Sequence, residues 1–160
     1  MKTLIVEEAF DAYALLAAHE SELGDKKSEI GAAAFFVGSM RDFNEGETVT
    51  GMTLDYYPGM TDRYLKELAE TSQARWTLTD ALIVHRVGQI APTETIVLVG
   101  AWSAHRAHAF EACRHMMEEL KSRAPFWKKE QIATGARWVE RNTPGATSEF
   151  VSGQPGHSAA

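Results

Sequence analysis

The sequence predicts an α+β fold in which neighbouring strands form antiparallel hairpins. Hydrophobic periodicity predicts the element order β-α-β-β-α-β-β-α-β-β along the chain. Strands therefore outnumber helices, and most strands occur in adjacent pairs. A doubly wound parallel sheet would instead require a helix between successive strands, so the pattern favours the α+β class.

The first part of the chain contains three predicted strands and one helix. Residues 2–8 contain the short apolar run Leu-Ile-Val, which is typical of a strand, and residues 11–23 are predicted to be a helix that ends near a glycine. Residues 29–40 form a second, small and apolar strand. Residues 41–49 contain Asn-Glu-Gly and are predicted to be a loop, and a third strand over 48–59 closes at Pro-Gly.

The middle of the chain combines a helix with a strand pair. Residues 61–76 have apolar side chains at helical spacing, and Thr61 is a suitable N-cap. Residues 78–90 and 95–103 are apolar strand segments. The segment APTE between them suits a hairpin loop, so we expect the two strands to pair.

The last helix and the last strand pair meet at a proline. A helix is predicted over residues 104–124, and it must stop there because Pro125 disfavours the helical conformation in the residue before it. Residues 126–132 and 136–140 are predicted to be two short strands around the turn ATG. The segment 142–160 is rich in Gly, Pro, Ser, Thr and Ala and is predicted to be a flexible tail.

Length and composition indicate one globular domain, over residues 1–141. The 160 residues are 44% hydrophobic and 24% charged, and a chain of this length can bury a core without disulfides. The net charge of -6 argues against a protein that coats nucleic acid. One cysteine cannot form an internal disulfide and fits a cytoplasmic protein. No signal peptide and no apolar stretch of about 18 residues is apparent.

The helix over 104–124 carries many of the candidate functional side chains. With Ser103 as N-cap and a step of about 100° per residue, one arc of about 120° is apolar, and we expect it to be buried. Its members are Ala109, Phe110, Cys113, Met116, Met117 and Leu120. Cys113 could be a nucleophile, but a thiol in the middle of this arc is more typical of a buried structural residue.

Three further side chains of this helix, His108, Glu111 and His115, share another face. Spacings of three and four residues could bring them together around a metal ion. They face away from the apolar arc and no fourth ligand is evident, so a solvated face is the better interpretation. A metal-dependent hydrolase that uses His105, His108 and His115 is one rival function.

Cationic side chains stand at several predicted element ends. His105 and Arg106 lie at the start of the helix, where the dipole and free backbone N–H groups favour negative charge. A bound anion would offset the unfavourable interaction of these two cations with the helix dipole. Alternatively, Arg106 pairs with a nearby carboxylate. Arg41 follows a strand end and is either a functional or a surface arginine. His85 and Arg86 lie at the end of another strand. Either could bind a ligand, or could be a solvent-facing residue of that strand.

Two lysines flank an apolar segment at the end of the helix. Lys121 lies in the last helical turn, Pro125 breaks the helix, and Phe126 and Trp127 turn the chain back towards Lys128. This reversal could place both amines at one pocket with aromatic walls, where a partly desolvated lysine is a better nucleophile or acid–base group. Alternatively, the first lysine compensates the helix dipole and the second lies on a surface strand.

Six segments in this order resemble the catalytic large subunit of molybdopterin synthase, the MoaE family: FVGSMRD, LDYYPGMTD, LIVHRVGQI, SAHRAHAFEA, LKSRAPFWKKE and RWVE. The resemblance covers about residues 30–141. It implies an α/β-hammerhead-like domain with an added small antiparallel sheet. It also implies a homodimer that binds a small ubiquitin-like sulfur-carrier subunit at each end, giving a heterotetramer.

The resemblance implies an activity and its site residues. The carrier's C-terminal Gly-Gly thiocarboxylate would deliver sulfur to cyclic pyranopterin monophosphate, forming the dithiolene of molybdopterin without a metal or other cofactor. The implied catalytic residues are Lys121 and Lys128. The implied substrate-binding residues, some of them from the second protomer, are Arg41, His105 and Arg106. The residues expected to shape the pocket and the groove for the carrier tail are Phe36, Pro125, Phe126 and Trp127.

The thiocarboxylate already carries a sulfur nucleophile, so this activity does not require a catalytic cysteine and agrees with a buried Cys113. A second rival is a non-catalytic dimeric α+β binding module. Its strand pairs would form a regulatory sheet, and neither lysine would be needed.

Overall fold

The structure is a computed structural model that describes residues 1–44, 47–132 and 135–139. Its strands, in chain order, are β1 (Lys2–Val6), β2 (Ala32–Ser39), β3 (Phe43–Asn44), β4 (Glu47–Tyr56), β5 (Leu78–Arg86), β6 (Gly88–Ile90), β7 (Thr95–Ser103), β8 (Phe126–Ile132) and β9 (Gly135–Val139). Its helices are α1 (Ala12–Glu22), α2 (Met60–Trp76) and α3 (Arg106–Ser122), with a 3-10 helix over Gly24–Glu29. This mixed content confirms the predicted α+β class.

The first sheet has the strand order β1-β5-β7-β2. Strands β5 and β7 pair antiparallel, with Val84 opposite Leu98, which confirms the predicted pairing. Strand β2 adds antiparallel to β7, and β1 adds parallel to β5. The central strands are buried on both faces, so they are continuous apolar runs without the alternation of a half-exposed strand.

The second sheet has the order β3-β4-β8-β9, with β6 also paired to β4. The prediction of one continuous strand over 78–90 is wrong, because the chain leaves the first sheet after Arg86 and joins the second sheet at Gly88. Gly88 has a φ of 79°, a value that glycine adopts without the steric cost of a side chain. Local apolar pattern cannot distinguish one long strand from two strands in different sheets.

Helices cover both faces of the first sheet. On one face α2 and α3 pack against alternate residues of β5 and β7, including Ile83 and Val99, which are fully buried. On the other face Leu82, Leu98 and Trp102 pack against α1 and the segment that follows it. A third apolar cluster lies beneath the second sheet, around Met52 and Leu54. None of the helices in the described ranges is long and apolar enough to cross a membrane.

Both predicted helix caps are wrong by two residues. Helix α2 is capped by Gly59, whose N–H donates to Asp62 Oδ2 at 2.8 Å, while Thr61 lies inside the helix. Helix α3 is capped by His105 and not by Ser103, whose hydroxyl accepts a hydrogen bond from the His105 N–H at 3.3 Å.

The predicted apolar arc of α3 is buried except for Phe110. This side chain is 66% exposed, whereas Cys113, Met116, Met117 and Leu120 are buried. Phe110 lies about 100° from Ala109 around the helix, at the edge of the arc, and Ala112 on the other side is buried in its place.

The predicted loop over 41–49 contains the short strand β3 and the first residues of β4, which pair with each other. The prediction was wrong because β3 is too short to show any periodicity. The predicted turn residues Glu45, Gly46, Ala133 and Thr134, and the predicted tail over 142–160, lie outside the described residues.

Candidate functional site

A cavity of about 260 Å³ lies where the two sheets meet under the carboxyl end of α3. Strands β2, β5 and β7 of the first sheet contribute one side, and β4 and β8 of the second sheet contribute the other. Apolar side chains of the third cluster and of α3 form much of the surface. The cavity therefore depends on pairings between segments far apart in the sequence.

The chain reversal after α3 is held by hydrogen bonds. The Pro125 carbonyl accepts from Thr61 Oγ1 at 3.1 Å, and the Phe126 N–H donates to the Ala124 carbonyl at 2.8 Å. The Thr61 hydroxyl is fully buried and also accepts from the Tyr57 N–H. These contacts tie the start of β8 to the start of α2 and fix the angle at which β8 leaves the helix.

This reversal places Lys121 and Lys128 at the same cavity, together with Arg41. Lys121 projects from the last turn of α3, and Lys128 from the third position of β8. Arg41 follows the end of β2. Three donor-only cationic side chains therefore line one cavity, which is suited to a ligand with several anionic oxygens.

Lys128 is paired with a buried carboxylate. Its Nζ lies 2.8 Å from Glu130 Oε1, and the Glu130 side chain is 3% exposed. No sequence motif points to a role for Glu130, although residues two apart on a strand point to the same face. The pair fixes the position of one amine in the cavity.

His85 also lines the cavity and is buried. Its ring stacks on Phe126 with centroids 3.9 Å apart, and its Nδ1 lies 2.9 Å from the Arg86 carbonyl oxygen. Burial lowers the pKa of His85 from 6.5 to about 4, partly opposed by the hydrogen bond to the Arg86 carbonyl. The imidazole is therefore neutral at pH 7.

Arg86 is a structural residue at the corner between the sheets. Its guanidinium is buried, lies 2.7 Å from Glu94 Oε2 and donates to the Gln89 carbonyl at 3.0 Å. The Ala91 N–H and the Arg86 guanidinium hydrogen-bond the Glu94 carboxylate and lower its pKa. Of the two candidates that end β5, His85 therefore lines the cavity while Arg86 holds the backbone that positions it.

The other predicted site residues divide between the cavity and its surroundings. Phe36 and Phe126 line the cavity. Pro125 does not line it, and Trp127 points to the opposite face of β8, where it is 45% exposed and packs against Tyr57 with centroids 6.0 Å apart. Strand alternation explains the separation of Trp127 from its neighbours.

His105 and Arg106 lie at the opposite end of α3 from Lys121. Arg106 and Lys121 are fifteen positions apart on the helix, which corresponds to about 22 Å along the axis. Both side chains are exposed, and Arg106 makes no ion pair with any described residue. Within one chain these two cations and the two lysines do not meet.

The remaining candidates on α3 have structural contacts. Cys113 is buried, and burial raises the pKa of its thiol to about 11. Glu111 accepts a hydrogen bond from Trp76 Nε1 at 2.9 Å, and His115 packs on the same indole. No group of three or more potential metal ligands occurs in the described part of the chain.

Comparison with known proteins gives consistent matches. Residues 5–123 match the family model described as MoaE protein. The chain is 50% identical over 141 residues to the molybdopterin synthase catalytic subunit of Ralstonia nicotianae, covering 88% of this chain and 78% of that protein. It is 48% identical to the subunit of the same name from Pseudomonas aeruginosa, covering 88% of this chain and 91% of that protein. The solved structure of a molybdopterin biosynthesis MoaE protein from Burkholderia ambifaria matches with a TM-score of 0.73 and 41% identity. The match covers 91% of this chain and 93% of that one.

Proposed function

The chain belongs to the MoaE protein family, and we propose that it is the catalytic large subunit of a molybdopterin synthase. In this reaction sulfur passes from the C-terminal thiocarboxylate of a small ubiquitin-like carrier subunit to cyclic pyranopterin monophosphate, and the product carries a dithiolene. The protein is then a sulfurtransferase that acts in the cytoplasm. The observation that carries the proposal is the single cavity lined by Lys121, Lys128 and Arg41.

The chemistry of the cavity suits the two reactants. Cyclic pyranopterin monophosphate carries a phosphate, and the carrier ends in a thiocarboxylate, so both bring anionic groups to a surface of cationic donors. The thiocarboxylate supplies the sulfur nucleophile. The side chains must therefore bind and orient the two reactants. They must also neutralise the negative charge that develops as the sulfur attacks the substrate and the carrier carbonyl is released.

The two lysines project from different elements, and we assign them different roles. Lys128 is held by the buried Glu130 carboxylate, so it acts as a positioned cation that steers the carrier's terminal carboxyl group and stabilises developing negative charge. Lys121, on the last turn of α3, performs the acid–base or covalent step at the reacting carbon. The apolar surface at Phe36 and Phe126 excludes water from the reacting groups.

His105 and Arg106 take part in the proposed site only if a second protomer provides them. The distance along α3 prevents them from reaching Lys121 of the same chain. In the proposed homodimer, which binds two carriers as a heterotetramer, these two side chains of one protomer complete the anion site of the other. Pro125 and Trp127, next to the cavity on its outer side, border the groove that admits the carrier tail.

The first experiment is an assay of dithiolene formation from purified protein, thiocarboxylated carrier and cyclic pyranopterin monophosphate. The wild type should form product, and Lys121→Ala should abolish turnover while carrier affinity stays within about twofold, because the lysine acts on the reacting atoms. Lys66→Ala is the matched control, since Lys66 lies exposed on α2, away from the cavity. Normal turnover in Lys121→Ala would rule out the proposed role. No product from wild type with bound carrier would favour the binding-module alternative.

A complementation experiment tests the shared site. Lys121→Ala and Arg106→Ala proteins, each inactive alone, are mixed under conditions that allow subunit exchange. If the site crosses a twofold interface, half of the dimers are mixed and each contains one intact site, so about a quarter of wild-type activity should return. An inactive mixture, with exchange demonstrated by a labelled subunit, would contradict a site that is shared across the interface.

A further inference from the structure

The cavity is lined by polar side chains with different hydrogen-bonding capacities. Arg41, Lys121 and Lys128 can only donate hydrogen bonds, and the Glu130 carboxylate is engaged by Lys128. His85 projects from β5, in a different sheet from Lys128, and is the remaining titratable side chain of the lining. A ligand that satisfies the cavity must therefore present something other than anionic oxygens to His85.

The contacts of His85 determine which hydrogen bond it can make. The Arg86 carbonyl can only accept, so Nδ1, 2.9 Å away, must carry the proton of the neutral ring. Nε2 is then unprotonated and can only accept a hydrogen bond. It has no hydrogen-bond partner among the described residues. An unprotonated nitrogen repels a phosphate or carboxylate oxygen and binds an N–H or O–H group.

The orientation of the ring is fixed from two directions. Phe126 stacks on its face at 3.9 Å and 15°, and Phe126 itself starts the strand that carries Lys128. The Arg86 guanidinium, through Glu94 and the Gln89 carbonyl, holds the backbone that receives the Nδ1 proton. The position of the His85 ring is thus fixed at its face and at Nδ1, and Phe126 connects it to the strand that carries Lys128.

We propose that His85 is a substrate-binding residue that accepts, through Nε2, a hydrogen bond from a ring N–H of the heterocycle of the phosphate-bearing substrate. This inference rests on the proposed function and orients the substrate in the cavity. The phosphate contacts the cationic side chains, and the heterocycle contacts His85 and Phe126. A fused heterocycle that offers N–H donors and a flat apolar surface matches these two side chains better than an anionic chain end does.

Two substitutions separate the acceptor from the structural hydrogen bond. In His85→Asn the side-chain amide can still donate to the Arg86 carbonyl but does not reach the Nε2 position. In His85→Gln the amide oxygen can occupy the Nε2 position. Equilibrium binding of cyclic pyranopterin monophosphate to the protein without carrier is the main measurement, with inorganic phosphate as the anion-only probe.

We expect His85→Asn to weaken pterin binding about tenfold or more, because the substrate donor is left unpaired, and His85→Gln to restore most of that loss. Inorganic phosphate should bind all three proteins equally. Unchanged pterin affinity in His85→Asn overturns the inference, as does equal weakening in both variants, which indicates a structural role. Weaker carrier binding with normal pterin binding would assign the contact to a carrier amide and also overturn it.

The outcome for wild type separates this inference from the proposed function. Wild-type protein that converts the pterin while His85→Asn binds it normally refutes the role of His85 alone. Wild-type protein that neither binds nor converts the pterin refutes both. A urea unfolding curve for each variant confirms that the compared proteins are folded under the binding conditions.

Discussion

Protonation of His85 should make the folding stability depend on pH in a predictable way. The pKa of this imidazole falls from 6.5 to about 4 on folding, because burial disfavours the charged ring. Between these two values the unfolded chain binds more protons at this site than the folded chain. The free energy of unfolding therefore rises with pH across this interval. The stabilising contribution of His85 is fully present above about pH 7.5 and is lost as the pH falls towards 4.

The size of the effect follows from the two pKa values. A shift of this size corresponds to about 3 kcal/mol between the plateaus, and about 2 kcal/mol of it should already be lost at pH 5. Other ionisable groups also contribute to the pH dependence of stability, although the Asp80 carboxyl, whose pKa is lowered from 3.8, titrates below this interval. A comparison of wild type with His85→Asn removes their contribution, since both proteins contain them.

The assay is urea unfolding of both proteins at pH 8, 6.5 and 5, followed by circular dichroism and analysed by linear extrapolation. His85→Asn should be less stable than wild type at pH 8, because it leaves a small space beside Phe126. The stability difference should shrink by about 2 kcal/mol at pH 5, where only the wild type has lost the contribution of a neutral histidine. Parallel stability curves for the two proteins would show that His85 is not buried in neutral form.

Three further predictions concern the core, a close contact and the thiol. Ile83→Ala should destabilise the protein by about 2–5 kcal/mol in urea unfolding, because Ile83 is fully buried between the first sheet and α2 and α3; a loss below 1 kcal/mol would contradict that packing. Gly31→Ala should cost about 1–3 kcal/mol in urea unfolding, because a Cβ at Gly31 would overlap the Ala104 carbonyl oxygen; unchanged stability would contradict that close contact. Cys113 should react with a thiol reagent only after unfolding, and Cys113→Ala should retain sulfur-transfer activity; fast modification of native protein would show that the thiol is accessible.

Local sequence patterns predicted the elements that depend on local physics. Strands β5 and β7 are buried on both faces and therefore appear as continuous apolar runs. The apolar arc of α3 repeats with the helical period. Each pattern can be recognised from a short segment alone. The break after α3 was also predictable, since Pro125 restricts the residue before it. The same local geometry allowed Lys121 and Lys128 to share a pocket but did not require it, and the structure brings both lysines to one cavity.

Features at element boundaries were harder to predict. Thr61 and Ser103 both have the composition of an N-cap, yet Gly59 and His105 occupy that position. Helix ends depend on which backbone groups find partners, and Thr61 instead hydrogen-bonds the Pro125 carbonyl, 64 residues away. No local signal reports such a distant partner.

Sequence patterns were sufficient to predict the α+β class, the order of most elements and the burial of Cys113, and to suggest the two lysines as candidates for one site. Long-range packing was needed to show that β5 and β6 belong to different sheets, that His85 and Glu130 line the cavity together with those lysines, and that Arg106 lies at the far end of α3. The difference is one of range. Side-chain periodicity and turn chemistry act over a few residues, whereas the cavity is enclosed by strands that pair across the whole chain.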